Sequence, residues 1–131
     1  MLKKLFAILA AITAAALISG CSTLADARSA KGTGLSREYA ASADAVWKAL
    51  PTVLSEMSLP LVGENRQEGY LLAQRGITPF SYGENVAIFV ESVNGASRTR
   101  VEVVSKKSMA TNVFAPDWSK EILDKLSERL K

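Results

Sequence analysis

Few side chains in this chain are equipped for covalent or acid–base chemistry. Its 131 residues include one cysteine, Cys21, and no histidine. Without histidine, the commonest general base near neutral pH and the commonest zinc ligand are both missing. No glycine-rich phosphate loop and no Gly-x-Ser-x-Gly elbow occurs in the sequence. Carboxylates remain, and two that face each other across a cleft would serve a hydrolase. The candidates Glu64, Glu68, Glu84, Glu91 and Glu102 fall in turns or on outward strand positions, where a solvated surface charge is the expected state. No catalytic site, metal or cofactor is therefore expected.

Cys21 has a specific context. Residues 5–18 (LFAILAAITAAALI) carry no charge, glycine or proline, follow Lys3 and Lys4, and end at Ser19-Gly20-Cys21. A basic start, a short apolar run and small residues at its end make a secretory signal, and the run is short for a membrane-spanning helix. Ile18-Ser19-Gly20-Cys21 resembles the lipobox of bacterial lipoproteins. The resemblance implies a diacylglycerol thioether on the Cys21 thiol and cleavage between Gly20 and Cys21. In many Gram-negative members a further acyl chain, typically palmitate, is added to the freed amine. Two or more chains suffice for stable anchoring. The membrane is then the first expected partner. Ser22 follows the cysteine where Asp is the usual inner-membrane retention signal, so outer-membrane anchoring on the periplasmic side is expected, with inner-membrane anchoring as the alternative. Loss of residues 1–20 removes only Lys3 and Lys4 among the charges, so the formal excess falls from +3 to about +1, too little for a nucleic-acid-binding face.

The elements behind Cys21 fall into three parts: a signal over 1–20, a polar and glycine-bearing stretch over 21–34 that reads as a flexible tether, and a single α+β domain over 35–131. The thirteen residues after Cys21 would reach about 20 Å from the bilayer. A helix is expected over 43–57, with Ser42 as N-cap and an apolar face of Val46, Trp47, Leu50, Val53, Leu54 and Met57. Pro51 should kink or divide it. A second helix is expected over 117–130 on the stripe Trp118, Ile122, Leu126 and Leu130. Between them, strands over 86–90 and 99–103 flank the hairpin signal Asn94-Gly95. A second pair over 61–62 and 70–73 surrounds a turn ending in Gly69, a position wanting positive φ. Residues 37–40 suit an edge strand. The expected order is β-α-β-β-β-β-α: a two-layer antiparallel sheet of four to five strands with two helices on one face.

The segment Glu64-Asn65-Arg66-Gln67-Glu68-Gly69-Tyr70-Leu71 resembles a turn of small Gram-negative lipoproteins. With its flanking helices, the domain resembles an uncharacterised family of outer-membrane lipoproteins. Its architecture is also similar to the helix-grip modules of the lipoprotein C subunit of the β-barrel assembly machine. The resemblance implies a periplasm-facing, non-enzymatic interaction module in envelope assembly or maintenance, with an envelope protein as partner. A carrier of a lipid or small apolar ligand, held between Trp118, Ile122, Leu126 and the sheet, is the alternative. Candidate partner contacts are Phe80 and Tyr82 in one loop, Phe114 in another, and Phe89 on the outer sheet face beside Ala87 and Val104. The plainer expectation for the loop residues is that they fold back over the ends of the sheet.

Overall fold

The computed structural model describes residues 1–5, 7, 23–79, 81, 83–95, 97–109 and 116–131. From Thr23 onward the elements are α1 (Leu24–Ser29), β1 (Leu35–Tyr39), α2 (Ala43–Glu56), β2 (Leu61–Asn65), β3 (Tyr70–Arg75), β4 (Glu84–Val93), β5 (Arg98–Lys107) and α3 (Ser119–Arg129). The strands form one five-stranded antiparallel sheet in the order β1-β5-β4-β3-β2. Because β1 and β2 lie on opposite edges, α2 must cross the sheet between them. Along β4, Val86, Ile88 and Val90 face α2 and α3, and in β5 Val101 and Val103 do the same. The α+β architecture expected from the pattern is the one observed.

Helix α2 begins where its cap predicts: the Ser42 hydroxyl accepts from the Ala45 N–H at 3.2 Å. It ends in a Schellman motif, with Leu59 N–H donating to the Leu54 carbonyl at 3.0 Å and Ser58 N–H to Ser55 at 3.1 Å. Ser58 takes the left-handed conformation this closure needs, at φ 53°. Contrary to the expected break, one uninterrupted helix runs through Pro51. Val46, Leu50, Val53 and Leu54 are fully buried on both sides of the proline, and this packing holds the two halves in line. Helix α3 lies beside α2, fastened to the first strand by the Tyr39 phenol, which donates to the Leu123 carbonyl at 2.7 Å. Burial pushes the Tyr39 phenol above its ordinary value.

Both hairpins form at the expected turns. Asn94 and Gly95 have φ of 51° and 70°, and Gly69 has φ 80°. A Cβ on Gly69 would stand 2.8 Å from the Val90 carbonyl oxygen, which is tighter than real contacts allow. The Gly69 carbonyl also accepts from Val90 N–H at 2.8 Å, so the turn cannot back away without losing a β3–β4 bond. Gly69→Ala should therefore cost about 1–3 kcal/mol, read as a lower urea midpoint at unchanged slope.

Residues 23–34 depart from the expected tether. Thr23 and Asp26 form a reciprocal capping box that starts α1, and α1 lies on the outer face of the sheet, opposite α2 and α3. Ala27 is fully buried against Ala87, Phe89 and Val104. A helix of six residues is too short to persist alone. The apolar outer face supplies what it lacks, so α1 belongs to the folded unit.

Candidate functional surfaces

The sequence-expected site residues fare differently. Gly20, Cys21, Phe80, Tyr82 and Phe114 lie outside the described residues. Phe89 does point to the outer face, as the strand alternation requires, but it is only 5% exposed. Helix α1 covers it, and the Lys31 ammonium sits over its ring at 5.6 Å. The open apolar centre expected around Ala87, Phe89 and Val104 is thus already occupied by the chain's own N-terminal segment. Arg98 and Arg100 stay at the surface and share the Glu38 carboxylate.

The group that fastens this cover is Glu102, expected to be wet and in fact 8% exposed. It stands on the outer face opposite Phe89. Its Oε2 accepts from Gly32 N–H at 2.7 Å and Gly34 N–H at 2.9 Å, and its Oε1 from Gly32 at 3.0 Å. Backbone N–H groups converging on a carboxylate are charge-assisted donors, stronger than neutral ones. Gly32 has φ 93°, and a Cβ on Gly34 would fall 2.3 Å from the Val103 carbonyl oxygen. Gly32 is suited to its positive φ, and Gly34 lets the chain pass this close to β5. Around the rim, Arg28 pairs with Glu68 at 2.8 Å and lies over the Tyr70 ring. Bonds from the Thr23 backbone and side chain hold the Asp26 carboxyl below its ordinary value, with Lys106 nearby adding to the effect.

Glu84 is the second carboxylate that burial removes from the wet class. It has no exposed surface, lies on the helix-facing side of β4, and accepts from the Ser81 hydroxyl at 2.5 Å. Its other oxygen and the Trp118 Nε1 have no hydrogen-bond partner among the described residues. Arg75 stacks over the Trp118 ring at 5.4 Å. Glu84 and Glu102 lie on opposite faces of the sheet, so the two buried carboxylates cannot flank one substrate. Ile122 and Leu126, expected to line a ligand groove in the carrier reading, are fully buried in the core with Leu50 and Leu54.

One open cleft, of about 420 Å³, runs between the free end of β5 and the start of α3, lined by Leu35, Val104, Lys106, Asp117 and Lys120 among others. Pairing of β1 with β5 stops at Leu35 and Val103, which leaves the outer edge of β5 beyond Val103 without a strand partner among the described residues. Trp118 N–H donates to Ser105 Oγ there, and Ser119 Oγ to the Val103 carbonyl. An edge of this kind can accept an extended segment by main-chain pairing. Among the described residues no acidic, histidine or cysteine group gathers into a metal-binding set, and no helix is long and apolar enough to cross a membrane. Neither a protein-family model nor a curated protein matches this sequence.

Proposed function

We propose that the protein is a lipid-anchored, periplasm-facing lipoprotein of the outer membrane, acting as a non-enzymatic interaction module in envelope assembly or maintenance. The observation that carries the reading is the single cysteine placed directly after a charge-flanked apolar run and two small residues. Support for a non-enzymatic role comes from how the buried polar groups are used. Glu102 fastens a loop, Glu84 holds the Ser81 hydroxyl, and they face away from each other across the sheet. The filled space around Ile122 and Leu126 favours this reading over a ligand carrier.

The surface best suited to a protein partner is the cleft beside the edge of β5 that has no strand partner among the described residues. Photo-crosslinkers introduced at Leu35 and Lys120 in intact cells should give a discrete adduct with an envelope protein. The same probe at Lys48, on the exposed face of α2, should give none. Absence of an adduct at both cleft positions, or an identical pattern at Lys48, would remove the interaction reading.

A further inference from the structure

Docking of α1 changes where the domain sits relative to its anchor. A free 21–34 tether would let it swing about 20 Å from the bilayer. With α1 fixed on the sheet from Thr23, one residue of sequence, Ser22, lies between Cys21 and the docked segment. Two Cα–Cα steps of about 3.8 Å then limit Cys21 to roughly 8 Å from Thr23. The bilayer surface must lie against whichever end of the sheet Thr23 adjoins.

That end can be identified. Arg28, in the last turn of α1, pairs with Glu68 and lies over Tyr70 at the β2–β3 hairpin end, while Ala27 before it packs on Ala87 and Val104, nearer Lys106. Helix α1 therefore starts toward the Lys106 end of β5 and runs toward the opposite hairpin end. The last rung at the starting end joins Arg75, Glu84 and Lys107 in register, with Lys106 beside it. Just beyond the strands stand Ile77, 79% exposed, and Met109, 38% exposed. Glu84 is buried, and the exposed acids near this rung are Asp26, beside Lys106 in the first turn of α1, and Asp117, set back at the start of α3. Among the described residues from Thr23 onward, none of the exposed large hydrophobic side chains lies at the opposite end, around the turns at Gly69 and Gly95.

We infer that Arg75, Ile77, Lys106, Lys107 and Met109 form a phospholipid-contacting surface, seated on the bilayer by the short link from acylated Cys21 to docked α1. The inference rests on the lipoprotein reading. Cationic side chains meet headgroup phosphates, while the two aliphatic side chains enter the interfacial layer. A wet Ile77 at the tip of a loop, unexplained by the fold alone, is accounted for by this contact.

The test uses the full chain, purified with its lipid and reconstituted into phosphatidylethanolamine–phosphatidylglycerol vesicles. With the native thiol acylated, Ile77→Cys and Asn94→Cys each offer one reactive site for a fluorophore, quenched by nitroxide carried on the lipid headgroup. Quenching should be several-fold stronger at residue 77 than at 94. The Lys106→Glu, Lys107→Glu double variant should narrow the difference without releasing the protein from the vesicle. Equal quenching at the two positions, or stronger quenching at 94, overturns the inference. Mass spectrometry of the N-terminal peptide from the same samples separates the two failures. Acylated Cys21 with equal quenching leaves the lipoprotein reading standing and sinks the seated orientation, and unmodified Cys21 sinks both.

Discussion

On the lipoprotein reading, replacing Cys21 by Ser should abolish palmitate incorporation, and with it the lipid anchor, and should leave residues 1–20 attached as a larger precursor. The effect is large because anchoring is steep in chain number. One myristoyl-length chain gives marginal binding of about 10⁴ M⁻¹, whereas two acyl chains give stable attachment. Serine keeps nearly the same size but offers no thiolate to receive the diacylglycerol, so none of the later acylation and cleavage steps can follow. Residues 1–20, kept in the uncleaved precursor, carry the apolar run over 5–18, which can hold the protein at a membrane without lipid, so label and size report the change rather than fractionation. Metabolic labelling with palmitate and gel mobility check both halves of this result; label that persists in C21S would remove the anchor reading altogether. The folded domain should be unaffected, because its described contacts begin at Thr23.

How much of this was readable from the residues depended on whether a pattern was periodic. The stripe Val46, Leu50, Val53 and Leu54 fixed α2, and the alternation of Thr99, Val101 and Val103 with Arg98, Arg100 and Glu102 fixed which way each β5 residue points. Period alone says which face a residue takes; it does not say what covers that face. Helix α1 escapes notice because LADARS buries only Ala27, and one buried residue has no period. Its local signal was the Thr23-x-x-Asp26 spacing, a shortened capping box ahead of a polar stretch. Glu102 was misplaced for the same reason. An acid on an outward strand position is wet unless a remote segment brings donors to it, and Gly32 lies seventy positions away. Pro51 shows the converse, a strong local rule outweighed by the burial of its neighbours. Cys21 and Gly20 rest on sequence alone, since they lie outside the described residues.

Glu102→Ala should undock α1 while leaving the sheet and the two large helices folded. The substitution strands the Gly32 and Gly34 N–H groups beside β5 and removes the charge that gathers them. Hydrogen bonds to a charged acceptor contribute about 1.5–3 kcal/mol each, and a buried donor left unsatisfied costs a comparable amount. The chain can avoid most of that cost by peeling residues 23–34 away, because Ala27 is the only fully buried side chain that would be surrendered. Local release is thus favoured over global unfolding. Amide exchange should show protection lost across α1 and kept along β4 and β5. Newly bared Ala87, Phe89 and Val104 should bind a hydrophobic dye, and global stability should fall by only about 1–3 kcal/mol. Glu102→Gln, with one acceptor oxygen and no charge, should fall between the two. Unchanged protection in Glu102→Ala would mean that Ala27 packing and the Arg28–Glu68 pair hold α1 without the carboxylate. The same variant also separates anchoring from seating. Once α1 is released, the span from Cys21 to Leu35 regains a reach of about 20 Å. The lipidated Glu102→Ala protein should stay on the membrane yet lose the difference in lipid quenching between residues 77 and 94. One buried carboxylate would then set how the domain faces the bilayer, by holding α1 and not by contact with lipid.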